Sequence, residues 1–412
     1  MAKNVMGMVK ISIKLTRKKP KIIILINFMG GDRTMKKLEV EKLSQNIQNT
    51  SLADIQSGRV GGKAVTVMQD GKTVYQDYFM DRKLNINITE HTLFRLASMT
   101  KPVTTVAVLK LAEKNKITLE DPVFCYIPEF EHMNVGKRNG DDIEIVGPAK
   151  THITIRHLLT HTSGLGSGEV GQLLAERFPF RERKSLVHNV AHYVQCPLDF
   201  EPYTKQTYSG SFAFDVLARI VEIVAEMPFG EFLKKEVLDP LEMFDTCFAP
   251  TKEQWERMIP MHDYRDGKGI LADYPEDSVF MGIPTSCCSG GTALASTLSD
   301  YKKFGDMLLN YGSTRGTRII GEKWIREMGK EQLPASLMSG VRNWGLGVRV
   351  VTADPRNVLT CGSFGWSGAL GSHFWVDPVN RIVAIYLKNS LYDGGSGSKT
   401  GRQFERDVYS AL

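Results

Sequence analysis

The sequence is poor in the features that would place it quickly. Its six cysteines, Cys125, Cys196, Cys247, Cys287, Cys288 and Cys361, form no C-x-x-C pair, and the neighbours Cys287 and Cys288 are badly placed to bridge each other. Such spacing describes neither a zinc site nor a disulfide framework. It predicts free thiols in a reducing, cytoplasmic compartment. There is no G-x-S-x-G, which removes the nucleophile elbow of α/β-hydrolases, and no repeat of 20–50 residues, which removes solenoids and propellers. The apolar stretch Ile22–Met29 is broken by Asn27 and falls far below the ~20 residues of a membrane-spanning helix. It follows basic residues, as in a secretory signal, but no A-x-A cleavage site comes after it.

The folded body also lacks an excess of either charge. The chain of 412 residues carries a formal +6, but residues 1–34 hold eight basic side chains against Asp32 alone, a net +7, so the other 378 residues sum to −1. A nucleic-acid reader carries its basic face on the folded body, so no nucleic-acid partner is expected. Residues 1–34 read as a poorly ordered basic and apolar extension, and membrane contact, if any, is expected only through it. With 42% hydrophobic and 24% charged residues the remainder has a globular composition, long enough to bury a core without disulfides.

Periodicity organises that remainder. Leu38, Leu43 and Ile47 fall near one helical face. Lys63–Met68 and Thr73–Phe79 flank Asp70-Gly71 and predict a β-hairpin. Residues 103–114 and Val216–Val224 read as apolar helices, and the middle of the chain as mostly helical. Strand patterns return at Asn343–Val351, Gly371–Val376 and Ile382–Leu387, and Arg402–Leu412 reads as a closing helix. The expected fold is α/β (α+β): an antiparallel sheet built from both chain ends, flanked by helices. Its domains would be 35–110 plus 285–412 for the sheet and 111–284 for an inserted helical subdomain.

The chemistry gathers around Ser98-Met-Thr-Lys101-Pro102. Residues i and i+3 share a helical face, so a hydroxyl and an amine can meet there. Pro102 is tolerated only in an opening turn, which puts Ser98 at a helix start, where free N–H groups and the dipole favour negative charge. An activated serine needs a base within hydrogen-bond reach. Lys101 is one candidate and Tyr208, in Thr207-Tyr-Ser-Gly210, is another.

Taken with His157-Leu-Leu-Thr-His-Thr-Ser-Gly-Leu165, Tyr208-Ser-Gly, Asp239-Pro-Leu-Glu-Met-Phe-Asp-Thr246, Gly290-Gly-Thr-Ala-Leu and Trp366-Ser-Gly, in that order over about 50–400, the sequence resembles the serine β-lactamase/penicillin-binding-protein superfamily. It is similar to the class C β-lactamase-like branch that includes family VIII carboxylesterases. The resemblance implies the β-lactamase/transpeptidase-like fold, Ser98 as acylated nucleophile, Lys101 as its helper and Tyr208 as general base and acid. Trp366, Ser367 and Gly368 would form the strand edge of the site, and the amides of Ala369 and Ser98 would hold the oxyanion. Two positions depart from the pattern: Gly210 stands where Asn is frequent, and Trp366 where Lys or His is frequent. Both favour a neutral ester over an anionic β-lactam or D-alanyl peptide, although ester, amide and β-lactam substrates all remain small-molecule candidates. A β-lactamase, a D-amino-acid peptidase or DD-carboxypeptidase, an acyl transferase and a catalytically silent peptidoglycan-binding module are the alternatives.

Other residues receive structural readings. Lys399-Thr-Gly401 spells the family's third motif but lies in a Gly/Ser loop running into the last helix, with no strand after it. His157 and His161 stand at i, i+4 without a third ligand and read as helix structure, so no metal and no cofactor is expected. His373 reads as core or surface, and Lys137–Asp142 as a solvated loop.

Overall fold

The computed structural model describes residues 35–272, 278–280, 282–338, 340 and 342–412. The expectations for residues 1–34 lie outside them. Two strands from the start of the chain, β1 (Gly62–Gln69) and β2 (Lys72–Met80), meet five from its end: β3 (Arg342–Trp344), β4 (Arg349–Val351), β5 (Phe364–Ser367), β6 (His373–Asp377) and β7 (Ile382–Leu387). They form one sheet in the order β3-β4-β5-β6-β7-β1-β2, antiparallel throughout. The β1–β2 turn places Asp70 at φ 51° and Gly71 at φ 75°, the left-handed pair that a tight hairpin with strand-matched twist requires.

The near-continuous apolar run of β7 follows from burial on both sides. Ile382, Ala384 and Tyr386 pack with Leu43 and Ile47 of helix α1 (Val40–Gln56) and with Phe404 and Val408 of the last helix. Val383, Ile385 and Leu387 face the larger core on the opposite side. That core holds α2 (Thr100–Glu113), α3 (Phe212–Ala225) and α4 (Leu298–Leu309). The last helix, α5, runs Lys399–Tyr409. A Cβ on Gly305 of α4 would overlap the Val383 side chain, so glycine there lets the helix close onto the sheet.

Three local expectations need correction. Lys137–Asp142 is not a loop but the tip of a hairpin, Asn134–Asn139 with Asp142–Pro148, turned at Gly140 with φ 64°. A second hairpin joins Met261–Arg265 to Lys268–Ala272, so the middle of the chain is less uniformly helical than its pattern. The strand expected over Asn343–Val351 is split between β3 and β4. Gly347 (φ 65°) sits where a Cβ would overlap the Thr105 hydroxyl of α2, so the chain bends over that helix instead of extending past it.

Candidate active site

Ser98 lies in a single 3-10 turn, Ala97–Met99, that leads directly into α2. Pro102 therefore falls in the first turn, where its missing N–H costs nothing. Neighbouring elements hold the turn from several sides. Leu93–Arg95 pairs with Ala295–Thr297, the Leu96 N–H donates to Leu294 O at 2.9 Å, and the Tyr301 hydroxyl of α4 donates to Met99 O at 2.9 Å. Ala97 occupies the left-handed region at φ 47°, a conformation that a residue with a Cβ adopts only when its surroundings impose it. On the sheet side Gly368 abuts the Leu96 carbonyl so closely that a side chain there would overlap it. The strand edge and the serine turn are thus in direct contact.

Lys101 is completely buried. Its ammonium donates to Gly291 O at 2.9 Å, to Gly210 O at 2.5 Å and to Ser98 Oγ at 3.4 Å. It also lies 5.0 Å from the Tyr208 ring centre and 5.3 Å from that of Phe214, within cation–π range. This accounts for two motifs. Gly290 and Gly291 have no side chain because Phe214 O and Ser211 occupy that space, and the close approach delivers the Gly291 carbonyl to the lysine. Gly210, where the family pattern often has Asn, supplies its main-chain carbonyl to Lys101.

Tyr208 donates its hydroxyl hydrogen bond to Ser98 Oγ at 2.8 Å, closer than the lysine. Trp366 Nε1–H approaches the same phenolic oxygen at 3.4 Å. Behind the tyrosine sits His161, which sequence reading assigned to helix structure. It lies beyond the end of the short helix Ile155–Leu159, at φ 56°, fully buried. Its ring is 4.7 Å from that of Tyr208 and 4.4 Å from that of Trp344, and Nδ1 accepts the Ser209 N–H at 3.1 Å. Burial first, and then the Lys101 charge, push its pKa well below 6.5, so it is a neutral ring with the proton on Nε2. His157 stays local, accepting the Thr154 N–H on Nδ1 at 3.2 Å in a capping box. Position i+4 to His157 gave no signal for this placement of His161, because it depends on packing between distant segments.

On β5, Trp366 faces Tyr208 (ring centres 5.2 Å apart) and Trp344 (4.6 Å), making an apolar wall beside the hydroxyl pair. Ser367 points to the other face, where its hydroxyl meets His373 Nδ1 at 2.8 Å, and His373 Nε2 meets the buried Glu405 at 3.1 Å. His373 therefore belongs to a Ser–His–Glu chain behind the strand. Ala369 is exposed in the turn that follows Gly368, and among the described residues its N–H has no protein acceptor. A cleft of about 760 Å³ opens beside Tyr208, Trp344 and Trp366.

Lys399-Thr400-Gly401 opens α5: Ser398 caps the Gly401 N–H, and the Asp393 carboxylate accepts from the Lys399 and Thr400 N–H groups. It is a helix start instead of a sheet edge, so the expected Gly/Ser loop is already helical from Lys399 onward. The Asp239–Thr246 motif serves the scaffold, with Asp300 accepting from the Asp245 N–H and the Thr246 hydroxyl. Among the described residues no cluster of His, Cys, Asp and Glu could hold a metal ion. None of their helices is long and apolar enough to cross a membrane.

The chain is 31% identical over 358 residues to Protein Rv1367c of Mycobacterium tuberculosis, covering 80% of this chain and 86% of that one. It is 27% identical over 391 residues to Esterase EstB of Burkholderia gladioli, covering 90% and 96%. Among solved structures it resembles EstCE1, a hydrolase with promiscuous acyltransferase activity, at TM-score 0.75 and 23% identity, over 90% of this chain and 99% of that one. It also resembles a family VIII carboxylesterase at TM-score 0.68 and 18% identity, over 92% and 100%. The sequence profile of the Beta-lactamase family matches residues 40–405, and the chain belongs to that family.

Proposed function

We propose that the protein is a serine hydrolase that cleaves small carboxylic esters through an acyl-enzyme on Ser98. The observation that carries this reading is the three-way contact at Ser98 Oγ, with Tyr208 Oη at 2.8 Å and Lys101 Nζ at 3.4 Å, closed off from bulk water on the lysine side. A hydroxyl becomes a useful nucleophile when a neighbouring group takes its proton as it attacks. Tyr208 is the nearer proton acceptor, with Lys101 Nζ 5.0 Å from its ring centre. The proton then passes to the leaving alcohol from the same phenol, and water attacks the acyl-enzyme by the reverse route. The amides of Ser98 and Ala369 would receive the developing oxyanion, where one such donor is worth about 2.7–4 kcal/mol.

The tryptophan wall supports an ester over a β-lactam or D-alanyl peptide, since Trp366 offers no cation to a carboxylate beside the reacting carbonyl. Acyl transfer to an alcohol is the second reading. The relation to EstCE1 and the apolar surfaces of Trp344 and Trp366, which disfavour water, both support it. The six free thiols support a reducing compartment. The test is p-nitrophenyl butyrate hydrolysis by the wild type and by Ser98→Ala: loss of turnover in the variant is expected, and unchanged turnover would refute the mechanism.

A further inference from the structure

The body of the chain is close to electrically neutral, yet the cleft beside Tyr208 and Trp366 is not. Lys205, Arg349, Arg356, Arg402 and Arg406 line it, against the single carboxylate of Glu405. That carboxylate is buried and turned to His373 Nε2. Arg356 is matched by Asp354. Among the described residues, the other four cations have no carboxylate within 4.0 Å. Arg349 donates to the Ser396 hydroxyl and lies 5.7 Å from the Trp366 ring, and Arg406 donates to the Gln403 side chain. Lys205 lies over the Phe200 ring, at 6.0 Å from its centre.

The arrangement on α5 is electrostatically unfavourable by itself. Arg402 and Arg406 stand at i, i+4, where like charges repel. Arg402 is also in the first turns, where the helix dipole disfavours a cation. Both side chains are exposed while Gly401, Phe404, Glu405 and Val408 of the same helix are buried. Arg406 is partly offset by the charge of the neighbouring Asp407, but Lys205, Arg349 and Arg402 still gather in one cleft. Such a cluster makes a local field that concentrates anions, and guanidinium groups present paired donors to an anionic oxygen group.

We infer that the outer cleft is an anion subsite, and that the substrate of Ser98 carries a second, ionised acid group beyond the tryptophan wall. This inference rests on the ester-hydrolase reading above and narrows it. The ester is neutral where it meets Trp366 and negative further out, as in a half-ester of a dicarboxylic acid or an ester whose leaving alcohol bears a carboxylate.

Two matched pairs of esters test it: p-nitrophenyl butyrate against mono-p-nitrophenyl glutarate, and phenyl butyrate against 4-carboxyphenyl butyrate. At about 10 mM salt, where charges act over ~30 Å before they are screened, the charged member of at least one pair is expected to have a kcat/KM about tenfold above its neutral partner, mainly through KM. That ratio should collapse towards one near 0.5 M salt and fall below one in Arg402→Glu/Arg406→Glu. The pair that responds tells which portion of the ester carries the charge. Equal or lower kcat/KM for both charged esters at low salt would overturn the anion subsite while leaving ester hydrolysis standing. Failure of all four esters to acylate Ser98 would overturn both.

Discussion

Two lysines lie fully buried at opposite sides of the sheet, and their surroundings differ in one respect. Lys101 is ringed by neutral acceptors, the carbonyls of Gly210 and Gly291 and the hydroxyl of Ser98. Lys388 is ringed by the carbonyl of Asp393 at 3.0 Å, that of Tyr392 at 3.4 Å and the Thr400 hydroxyl at 3.1 Å, with the Asp393 carboxylate 3.9 Å away. Both collars are mostly main-chain oxygen. The second closes on itself: Asp393 balances the lysine and caps α5, and the whole set ties the loop after β7 to that helix. The first ends on a hydroxyl that is also held by a phenol. A buried cation whose last partner is a hydroxyl is placed to act on that hydroxyl, whereas one facing a carboxylate is placed to hold structure.

Substitutions at the two lysines and around them should separate these roles. The largest effect is expected at the hydroxyl: Ser98→Ala should lower ester kcat/KM by on the order of 10⁴-fold or more, as removal of a nucleophile does, with an unchanged thermal midpoint. Lys101→Met and Tyr208→Phe should each cost ~10²–10⁴-fold in kcat, the usual range for a displaced proton-transfer group. Steady-state kinetics on one neutral ester would check both, and a comparable loss in Lys388→Met would break the distinction between the lysines.

Lys388 should instead be visible in stability against pH. Burial lowers its pKa to about 8, opposed by the Asp393 and Asp54 charges, whereas in an unfolded chain it titrates near the ordinary lysine value of ~10.4. Between those values the unfolded state holds a proton that the folded state has released, so folding stability rises with pH there. The slope from this one group is at most ~1.4 kcal/mol per pH unit. Urea unfolding between pH 8 and 10 should show the wild type gaining stability relative to Lys388→Met, over a background common to both. That background is set by Lys63 and Lys302, whose pKa values burial lowers, and by Cys196, Cys247, Cys287 and Cys288, whose pKa values burial raises.

The smallest effect is expected at Gly210. A Cβ there meets nothing within 4 Å, so Gly210→Asn should fold normally, within about 0.5 kcal/mol as surface substitutions usually do, and change ester turnover by no more than about threefold. Nitrocefin turnover by this variant tests whether the amide missing from the motif limits β-lactam chemistry, and a rise of about tenfold is expected.

Much of this was legible in the sequence because it is local. The β1–β2 hairpin needed only Asp70-Gly71 between β-rich runs. The serine turn needed only Pro102 four residues after Ser98. β7 announced itself by an apolar run that only burial on two faces explains. What stayed hidden depends on segments far apart in the chain. His161 lies against Tyr208 because the chain after Leu159 meets the chain before α3. Gly347 breaks a strand because α2 passes beneath it. Arg349, Arg402 and Arg406 are unremarkable in sequence, since a body net charge of −1 conceals where its charges sit; only the fold gathers them beside the tryptophans.

The central claim is that Ser98 becomes acylated, and the mass of the intact protein reads it directly. After brief exposure to p-nitrophenyl butyrate and acid quenching, the wild type should carry one butyryl group that peptide mapping places on Ser98, and Ser98→Ala should carry none. An adduct of equal yield in Ser98→Ala, or a wild type that hydrolyses the ester with the label on another residue, would contradict the account.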